Sequence, residues 1–222
     1  MSQGKHFIII TIDGGAAAGK SSTAGALSER HHLLHVDTGS FYRAVTLYLL
    51  KRGLTPDDGD RIREALRNPA ITTRLRGRMA RIAIDEEVPD EELRSREVNE
   101  QVSRFASLQA VREFLLDFQR GHASFARENG FDGLVMEGRD IGSVIFPDAD
   151  FRFFLEADPE ARNKRRVEQG EQDSIAERDR LDSQRKTAPL VCPEGALRID
   201  TTHLPLEEVI AKLSDIIEGE AR

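Results

Sequence analysis

The stretch IIITIDGGAAAGKS, from Ile8 to Ser21, decides the fold of this 222-residue chain. Its first five residues are mostly β-branched, which predicts a buried strand. Residues 14–21 then fit the pattern G-x-x-x-x-G-K-[ST], and a helix-forming stretch follows at 22–30. A strand, a loop of small residues and a helix in this order are the context of a phosphate-binding loop.

The loop has the chemistry that a polyphosphate requires. Small residues allow successive backbone N–H groups to turn inward around the phosphates, and the N-terminus of the next helix adds partial positive charge. Lys20 can place its ammonium group on the β- and γ-phosphates, and the Ser21 hydroxyl can bind Mg²⁺. We therefore expect nucleotide binding here, with an ordinary glycine-rich turn as the alternative interpretation.

Composition limits the class of protein. The formal net charge is −7, which disfavours a general nucleic-acid binder. A single cysteine, Cys192, excludes an intramolecular disulfide, and no signal peptide or long apolar run is present. The six histidines lack metal-ligand spacing, so we interpret them as structural or surface residues. We expect a monomeric cytoplasmic protein without nucleic-acid or membrane partners.

Short apolar runs alternate with amphipathic stretches along the chain. Runs at 33–36, 134–136, 151–155 and 197–199 predict strands, and stretches at 40–51 and 205–218 predict helices. This alternation is typical of an α/β fold, with a parallel sheet flanked by helices on both faces. Asp37, Glu137 and the phosphate loop then lie at the carboxyl edge of the sheet, where ligands bind. A hairpin at 71–76 and 79–84 indicates an insertion on this core.

The remaining motifs distinguish between classes of phosphate-loop protein. No glycine has Asp three residues before it, and Asn163-Lys164 is not followed by the Asp that reads guanine, so a signalling GTPase is disfavoured. The segments DTGSFYR (37–43), EGRDIG (137–142) and ERDRLDSQR (177–185) bring acids and arginines to strand ends and to one helix face. Several cations around a transferred phosphoryl group are typical of a small-molecule kinase. An exposed helix with surface ion pairs is the alternative for the last segment.

With these motifs the chain resembles the bacterial cytidylate kinases, from residue 8 to about residue 213. The resemblance rests on ITIDGGAAAGKSS, DTGSFYR, LRSREVNEQVSRFASLQAVRE, EGRDIGSVIFPDADFRFFLEADPEAR, ERDRLDSQR and ALRIDTT. It implies phosphoryl transfer from ATP to CMP or dCMP with Mg²⁺. It also implies one domain over 1–222, with its core at 1–55 and 111–222, a monophosphate-binding insertion at 56–110 and a lid at 162–178. Eleven residues separate Arg166 from Arg178, a shorter lid than is typical of the family.

The resemblance further implies the residues of the site. Lys20, Arg139 and Arg185 would be catalytic, and Ser21 would bind Mg²⁺ through ATP. The ATP-binding set is Gly14, Gly15, Ala16, Ala17, Ala18, Gly19, Lys20, Ser21, Ser22 and Arg162. The CMP-binding set comprises Thr38; Arg43, Arg139 and Arg185 for the acceptor phosphate; Ser103, Arg112 and Asp140 for cytosine; and Arg178 and Asp182 for ribose. A cytosine edge presents an amino donor and acceptors, which suit a carboxylate or hydroxyl acceptor and an arginine donor.

Two other functions stay open at this point. A phosphate-loop kinase could use a different acceptor, such as UMP. A catalytically silent nucleotide-binding protein could instead regulate a partner, and the short lid is the only feature in its favour. Measuring ADP release with a panel of acceptors distinguishes all three.

Overall fold

The computed structural model describes residues 6–168, 175–185 and 187–220, with the side chains of residues 175–178 and 220 outside the description. Strands and helices alternate along these residues. The strands are β1 (Ile8–Gly14), β2 (Leu33–Asp37), β3 (Ile71–Arg76), β4 (Met79–Ile84), β5 (Gly133–Gly138), β6 (Phe151–Glu156) and β7 (Leu197–Asp200). The helices are α1 (Lys20–His31), α2 (Thr38–Leu50), α3 (Gly59–Ala65), α4 (Arg96–Phe105), α5 (Gln109–Glu128), α6 (Pro159–Glu168), α7 (Ile175–Ser183) and α8 (Leu206–Glu220), with a 3₁₀ turn at Glu91–Arg94 and a π-helical turn at Ile141–Ile145.

The strands form one seven-stranded sheet in the order β3-β4-β2-β5-β1-β6-β7. Neighbouring strands are parallel except for β3 and β4, which form an antiparallel hairpin. The predicted α/β class, a parallel sheet flanked by helices, is therefore confirmed. Within the described residues, no helix has the length and apolar character needed to cross a membrane.

The β3–β4 hairpin has the boundaries that polarity alternation predicted. Gly77 turns the chain with a φ of 60°, a conformation that glycine adopts without steric cost. β4 pairs with β2, so the hairpin extends the sheet at its edge. The division of the chain into a core, an insertion at 56–110 and a lid at 162–178 stays a prediction.

The sheet buries apolar side chains on both faces. On one face α2, α4 and α5 cover a core that includes Phe41, Phe105 and Leu115. On the other face α1 and α8 cover a smaller core that includes Leu27 and Leu213. Because successive side chains of a strand point to opposite faces, each central strand contributes to both cores, which explains its continuous apolar sequence.

The carboxyl ends of β1, β2 and β5 meet at one edge of the sheet. Asp37 pairs in register with Glu137, and Ile12 lies against Glu137 from the other side. Gly14 has a φ of 151°, and a Cβ there would collide with the backbone carbonyl of Leu155 in β6. Only glycine therefore fits at the start of the phosphate loop, where β1 passes close to its neighbour.

Candidate active site

A cleft of about 500 Å³ opens at this edge of the sheet. Most of the residues that the sequence assigned to the site line it: Ala16, Ala17, Ala18, Gly19, Lys20, Ser21, Ser22, Thr38, Arg43, Ser103, Arg139, Asp140, Asp182 and Arg185. Arg112 lies behind the cleft, paired with Asp140. Gly15 lies beneath Arg162. The side chain of Arg178 lies outside the described residues.

Lys20 is the first residue of α1 and is almost fully buried, at 9% exposure. Its Nζ donates a hydrogen bond to the Gly15 carbonyl at 2.6 Å, across the loop. Burial, and then the charge of Arg139, lower the pKa of Lys20 to about 7, although Glu137 and Asp179 act in the opposite direction. The position therefore disfavours an ammonium group until an anion, such as a polyphosphate, compensates its charge.

The helix that follows the loop begins without a capping side chain. Gly19 is the N-cap of α1 and has a φ of 93°, and it has no side chain with which to bond the first backbone N–H groups. The first-turn amides of a helix have no partner within the helix. This helix end is consequently suited to binding an anion.

Glu137, the acid near the end of β5, contacts the phosphate loop. Its Oε2 accepts a hydrogen bond from the Ser21 hydroxyl at 2.9 Å. Asp37 lies nearby, and burial followed by the charge of Glu137 raises the pKa of Asp37. A hydroxyl and carboxylates are hard oxygen donors of the kind that Mg²⁺ prefers. In the part of the chain that is described, no cluster of three or more His, Cys, Asp or Glu residues could hold a metal, and Mg²⁺ commonly uses only one or two carboxylates together with substrate phosphates. Ser21 and Glu137 fit that mode.

Asp13 ties the end of β1 to the segment after β5. It is fully buried, and its two carboxylate oxygens accept hydrogen bonds from the backbone N–H groups of Ile141 at 2.8 Å and Gly142 at 2.7 Å. Burial raises the pKa of Asp13 to about 6, and these two hydrogen bonds oppose the rise. The contact fixes the position of the Arg139–Asp140 dipeptide relative to the phosphate loop.

Two arginines of the predicted acceptor-phosphate set share one carboxylate. Arg139 donates from Nε to Asp182 at 2.7 Å and from an amino group to the Gly14 carbonyl at 2.8 Å. Arg185 pairs with the other oxygen of Asp182, whose side chain is 3% exposed. The family resemblance implied that Asp182, like Arg178, contacts the ribose. The structure additionally makes Asp182 the residue that orients two arginines.

The predicted base-reading residues form a second buried group. Arg112 donates to Asp140, and both side chains are below 10% exposure. Burial raises the pKa of Asp140, and the charge of Arg112 opposes this rise. Ser103 is buried in the same region, and the guanidinium of Arg112 lies 5.6 Å from the centre of the Tyr42 ring. The group offers a carboxylate, a hydroxyl and a guanidinium to a ligand edge.

Arg43 and Thr38 connect helix α2 to its surroundings at the cleft. Arg43 donates to the Leu93 carbonyl at 2.8 Å and to Oδ1 of Asn99 at 2.7 Å. The Thr38 hydroxyl donates to the backbone carbonyl of Glu137 at 2.7 Å. These bonds fix the end of β2 and the start of α2 against β5, against the 3₁₀ turn at Glu91–Arg94 and against α4.

Arg162 of α6 lies over the phosphate loop. It pairs with Asp179 of α7 and contacts the Ala16 carbonyl at 3.3 Å, while Asp179 accepts from the Ala16 N–H at 3.0 Å. The sequence did not single out Asp179, nor did it assign a role to Asp13. Asp13 had a signal, since it is the one acid in an otherwise apolar buried strand. The sequence carried no signal for Asp179, because its partners are distant in sequence.

Comparisons with known proteins identify the family of the chain. The family model described as cytidylate kinase matches residues 10–219. Among similar curated proteins, the cytidylate kinase of Caldanaerobacter subterraneus subsp. tengcongensis is 40% identical over 94% of this chain and 93% of its own length. The cytidylate kinase of Streptomyces griseus subsp. griseus is 36% identical over 96% of this chain and 93% of its own length.

A solved structure supports the fold alone. The shikimate kinase from Acinetobacter baumannii, in complex with shikimate, superposes with a TM-score of 0.51 at 14% identity, covering 97% of this chain and 96% of that one. The family model and the curated relatives each extend over nearly the whole chain. The chain belongs to the cytidylate kinase family.

Proposed function

We propose that this protein transfers the γ-phosphoryl group of ATP to the phosphate of CMP or dCMP, which gives ADP and CDP or dCDP. The observation that carries the proposal is that a phosphate-binding loop and the group Arg139, Asp140 and Arg185 line one cleft. Family membership supports the same reaction, because the curated relatives are cytidylate kinases.

The base pocket favours cytosine over uracil. Asp140 and Ser103 would accept hydrogen bonds from the exocyclic amino group, and Arg112 would donate to the ring acceptors. Uracil has a carbonyl in place of that amino group. Its carbonyl oxygen and the Asp140 carboxylate would both be acceptors, so no hydrogen bond could form between them. Leaving such buried groups unpaired strongly disfavours the wrong ligand. UMP is therefore a weaker acceptor under this assignment.

The acceptor phosphate would be held by Arg43, Arg139 and Arg185, with Thr38 beside them. Arg178 and Asp182 would contact the ribose. The CMP phosphate is largely a dianion near neutral pH, so no general base is needed. One of its oxygens forms a bond to the γ-phosphorus, while the bond from that phosphorus to the β–γ bridging oxygen breaks and ADP keeps the electron pair. The arginines and Lys20 stabilise the charge that spreads over the transferred group.

The donor would bind along the phosphate loop from Gly14 to Ser22, with Arg162 on its phosphates. Mg²⁺, when bound, would neutralise part of the phosphate charge, and Ser21 and Glu137 are the residues that would hold it. The proposal includes a monophosphate-binding role for the insertion at 56–110 and a lid at 162–178. It further includes a monomer in the cytoplasm, which light scattering and fractionation would test.

A coupled assay of ADP release tests the proposal. CMP, dCMP, UMP, AMP and GMP are compared in parallel as acceptors, with ATP and Mg²⁺. We expect CMP or dCMP to be phosphorylated fastest. Faster reaction with AMP or GMP would contradict the acceptor assignment, and no ADP release with any acceptor would favour a silent nucleotide-binding protein.

A further inference from the structure

A buried histidine stands directly behind the phosphate loop. His35 lies in β2, and its side chain is 4% exposed. Its Nε2 lies 3.0 Å from Oε1 of Glu137, while Oε2 of the same carboxylate accepts from Ser21 at 2.9 Å. Glu137 therefore connects His35 to the residue that the resemblance assigns to Mg²⁺.

The sheet register explains why these two side chains meet. β2 and β5 are parallel, with His35 opposite Val135 and Asp37 opposite Glu137. His35 and Glu137 thus lie on the same face of the sheet, diagonally across adjacent strands. That face is otherwise filled by apolar side chains such as Leu33 and Val135. A polar pair buried in such a face is costly unless its hydrogen bonds are made, so a purely structural residue here would more commonly be aliphatic.

The direction of the hydrogen bonds follows from the chemistry of the three groups. An ionised carboxylate only accepts, so both Ser21 and the Nε2–H of His35 donate to Glu137. One oxygen is then fixed by His35 and the other by Ser21. The Glu137 backbone is also held, through its carbonyl, by the Thr38 hydroxyl. A glutamate has an additional torsion relative to aspartate, and the His35 bond restricts it.

We propose that His35 is a positioning residue, which holds the Glu137 carboxylate at Ser21 in the orientation that receives the nucleotide-bound Mg²⁺. The inference rests on the proposed function, because it assumes that the donor is a magnesium–nucleotide complex. Residues that orient the ligands of a metal typically contribute about 10- to 100-fold to metal affinity. His35 should accordingly affect the part of nucleotide affinity that depends on Mg²⁺ and leave the remainder unchanged.

Calorimetry of a non-hydrolysable ATP analogue, in Mg²⁺ and separately in EDTA, measures that part directly. For His35→Leu we expect the gain in affinity on adding Mg²⁺ to fall by about tenfold or more, with affinity in EDTA and affinity for CMP within about twofold of the unchanged protein. His35→Gln keeps an N–H donor and should retain most of the gain. If His35→Leu does not fold, His35→Met replaces it, since the flexible methionine side chain adapts to the same space.

His122 provides a matched control. It is also a buried histidine, hydrogen-bonded to the Phe118 carbonyl and to the Thr73 hydroxyl, and it lies in α5 outside the residues that line the cleft. His122→Leu should keep the full gain in nucleotide affinity on adding Mg²⁺. Equal losses in both leucine variants, or losses in EDTA as large as those in Mg²⁺, would show that His35 is only structural and would overturn the inference.

Two further outcomes separate this inference from the proposed function. If the unchanged protein gains no affinity from Mg²⁺, the magnesium–nucleotide donor and the inference both fail. If it gains affinity and His35→Leu retains that gain, only the inference fails. A double variant completes the test: because His35 acts through Glu137, adding His35→Leu to Glu137→Gln should cause no further loss, and additive losses would contradict the mechanism.

Discussion

The two sides of the cleft hold their charges in different ways. On the acceptor side, formed by Arg112, Arg139, Asp140, Asp182 and Arg185, the side chains are at most 16% exposed and pair with one another. On the donor side, over the phosphate loop, Arg162 and Asp179 also pair, at 14% and 19% exposure, but Arg162 belongs to α6, a helix with no buried residue to anchor it in the core. Buried charges are stable only with partners, so the acceptor side is organised before any ligand arrives. The donor side depends more on the nucleotide to complete it.

The largest expected effect is on the acceptor side. Arg139→Ala should reduce turnover by about 10³-fold, because an arginine that stabilises the transferred phosphoryl group commonly contributes that much. The measurement is kcat for CMP phosphorylation. Arg198→Ala, which removes a surface arginine paired with Glu156, should leave kcat unchanged. A loss of tenfold or less for Arg139→Ala would exclude Arg139 from the reaction.

Replacing each of two aspartates on α7 compares how much the two sides of the cleft contribute to stability. Asp182→Ala leaves Arg139 and Arg185 buried without their shared carboxylate, which should cost about 3–5 kcal/mol in the free energy of unfolding. Asp179→Ala removes a carboxylate that is 19% exposed and that pairs with one arginine rather than two, so it should cost less, about 1–2 kcal/mol. Urea unfolding of both variants tests this contrast. Similar losses in the free energy of unfolding would show that the two sides do not differ in this way.

A smaller, selective effect is expected for Arg162. Arg162→Ala should raise the KM for ATP by about tenfold, equivalent to about 1.4 kcal/mol, and leave the KM for CMP unchanged. Lys164→Ala serves as the control, because Lys164 has the same charge on the same helix and is exposed. An equal rise in both KM values would show that Arg162 acts through general stability.

The smallest expected effect is the uptake of protons when nucleotide binds. With a pKa of about 7, Lys20 is mostly neutral at pH 8 in the free protein. A bound polyphosphate raises this pKa, so nucleotide binding at pH 8 should take up protons, at most one per site. The nucleotide phosphates are already ionised at that pH and release none. Calorimetry in two buffers of different ionisation enthalpy measures the uptake.

Lys20→Arg is the control variant for this proton uptake. Arginine stays charged at every accessible pH, so the variant should bind nucleotide without proton uptake. Uptake of the same size in Lys20→Arg would assign the proton to another group. No uptake in the unchanged protein would mean that Lys20 is already charged before binding, and the donor side would then be as organised as the acceptor side.

Features with a local cause could be predicted from the sequence. The β3–β4 hairpin has the predicted boundaries because alternation of polarity and a glycine turn act within a few residues. The phosphate loop and the acids at the ends of β2 and β5 followed from the order of a parallel sheet. Family resemblance supplied the predicted roles of Ser103 and Arg112 in binding the base, which no periodicity would have given.

Features that depend on distant pairing could not be predicted in the same way. No spacing in the sequence indicated that Arg139, which follows β5, pairs with Asp182, because the two residues are 43 positions apart. The histidines were interpreted as structural or surface residues, and nothing in the sequence indicated that His35 contacts Glu137. Such contacts are set by strand register and helix packing, and a sequence pattern shows neither.

The hydrogen bonds of Asp13 have a consequence for exchanging parts between related enzymes. β1 ends in the phosphate loop, and through Asp13 it also supports the backbone at Ile141 and Gly142, directly after the residues proposed to select the acceptor. A chimera that replaces only the loop from Gly14 onward leaves that support in place and should keep its acceptor preference. A chimera that replaces the whole strand changes both substrate sites at once, so β1 and the segment 139–142 are best transplanted together as one module.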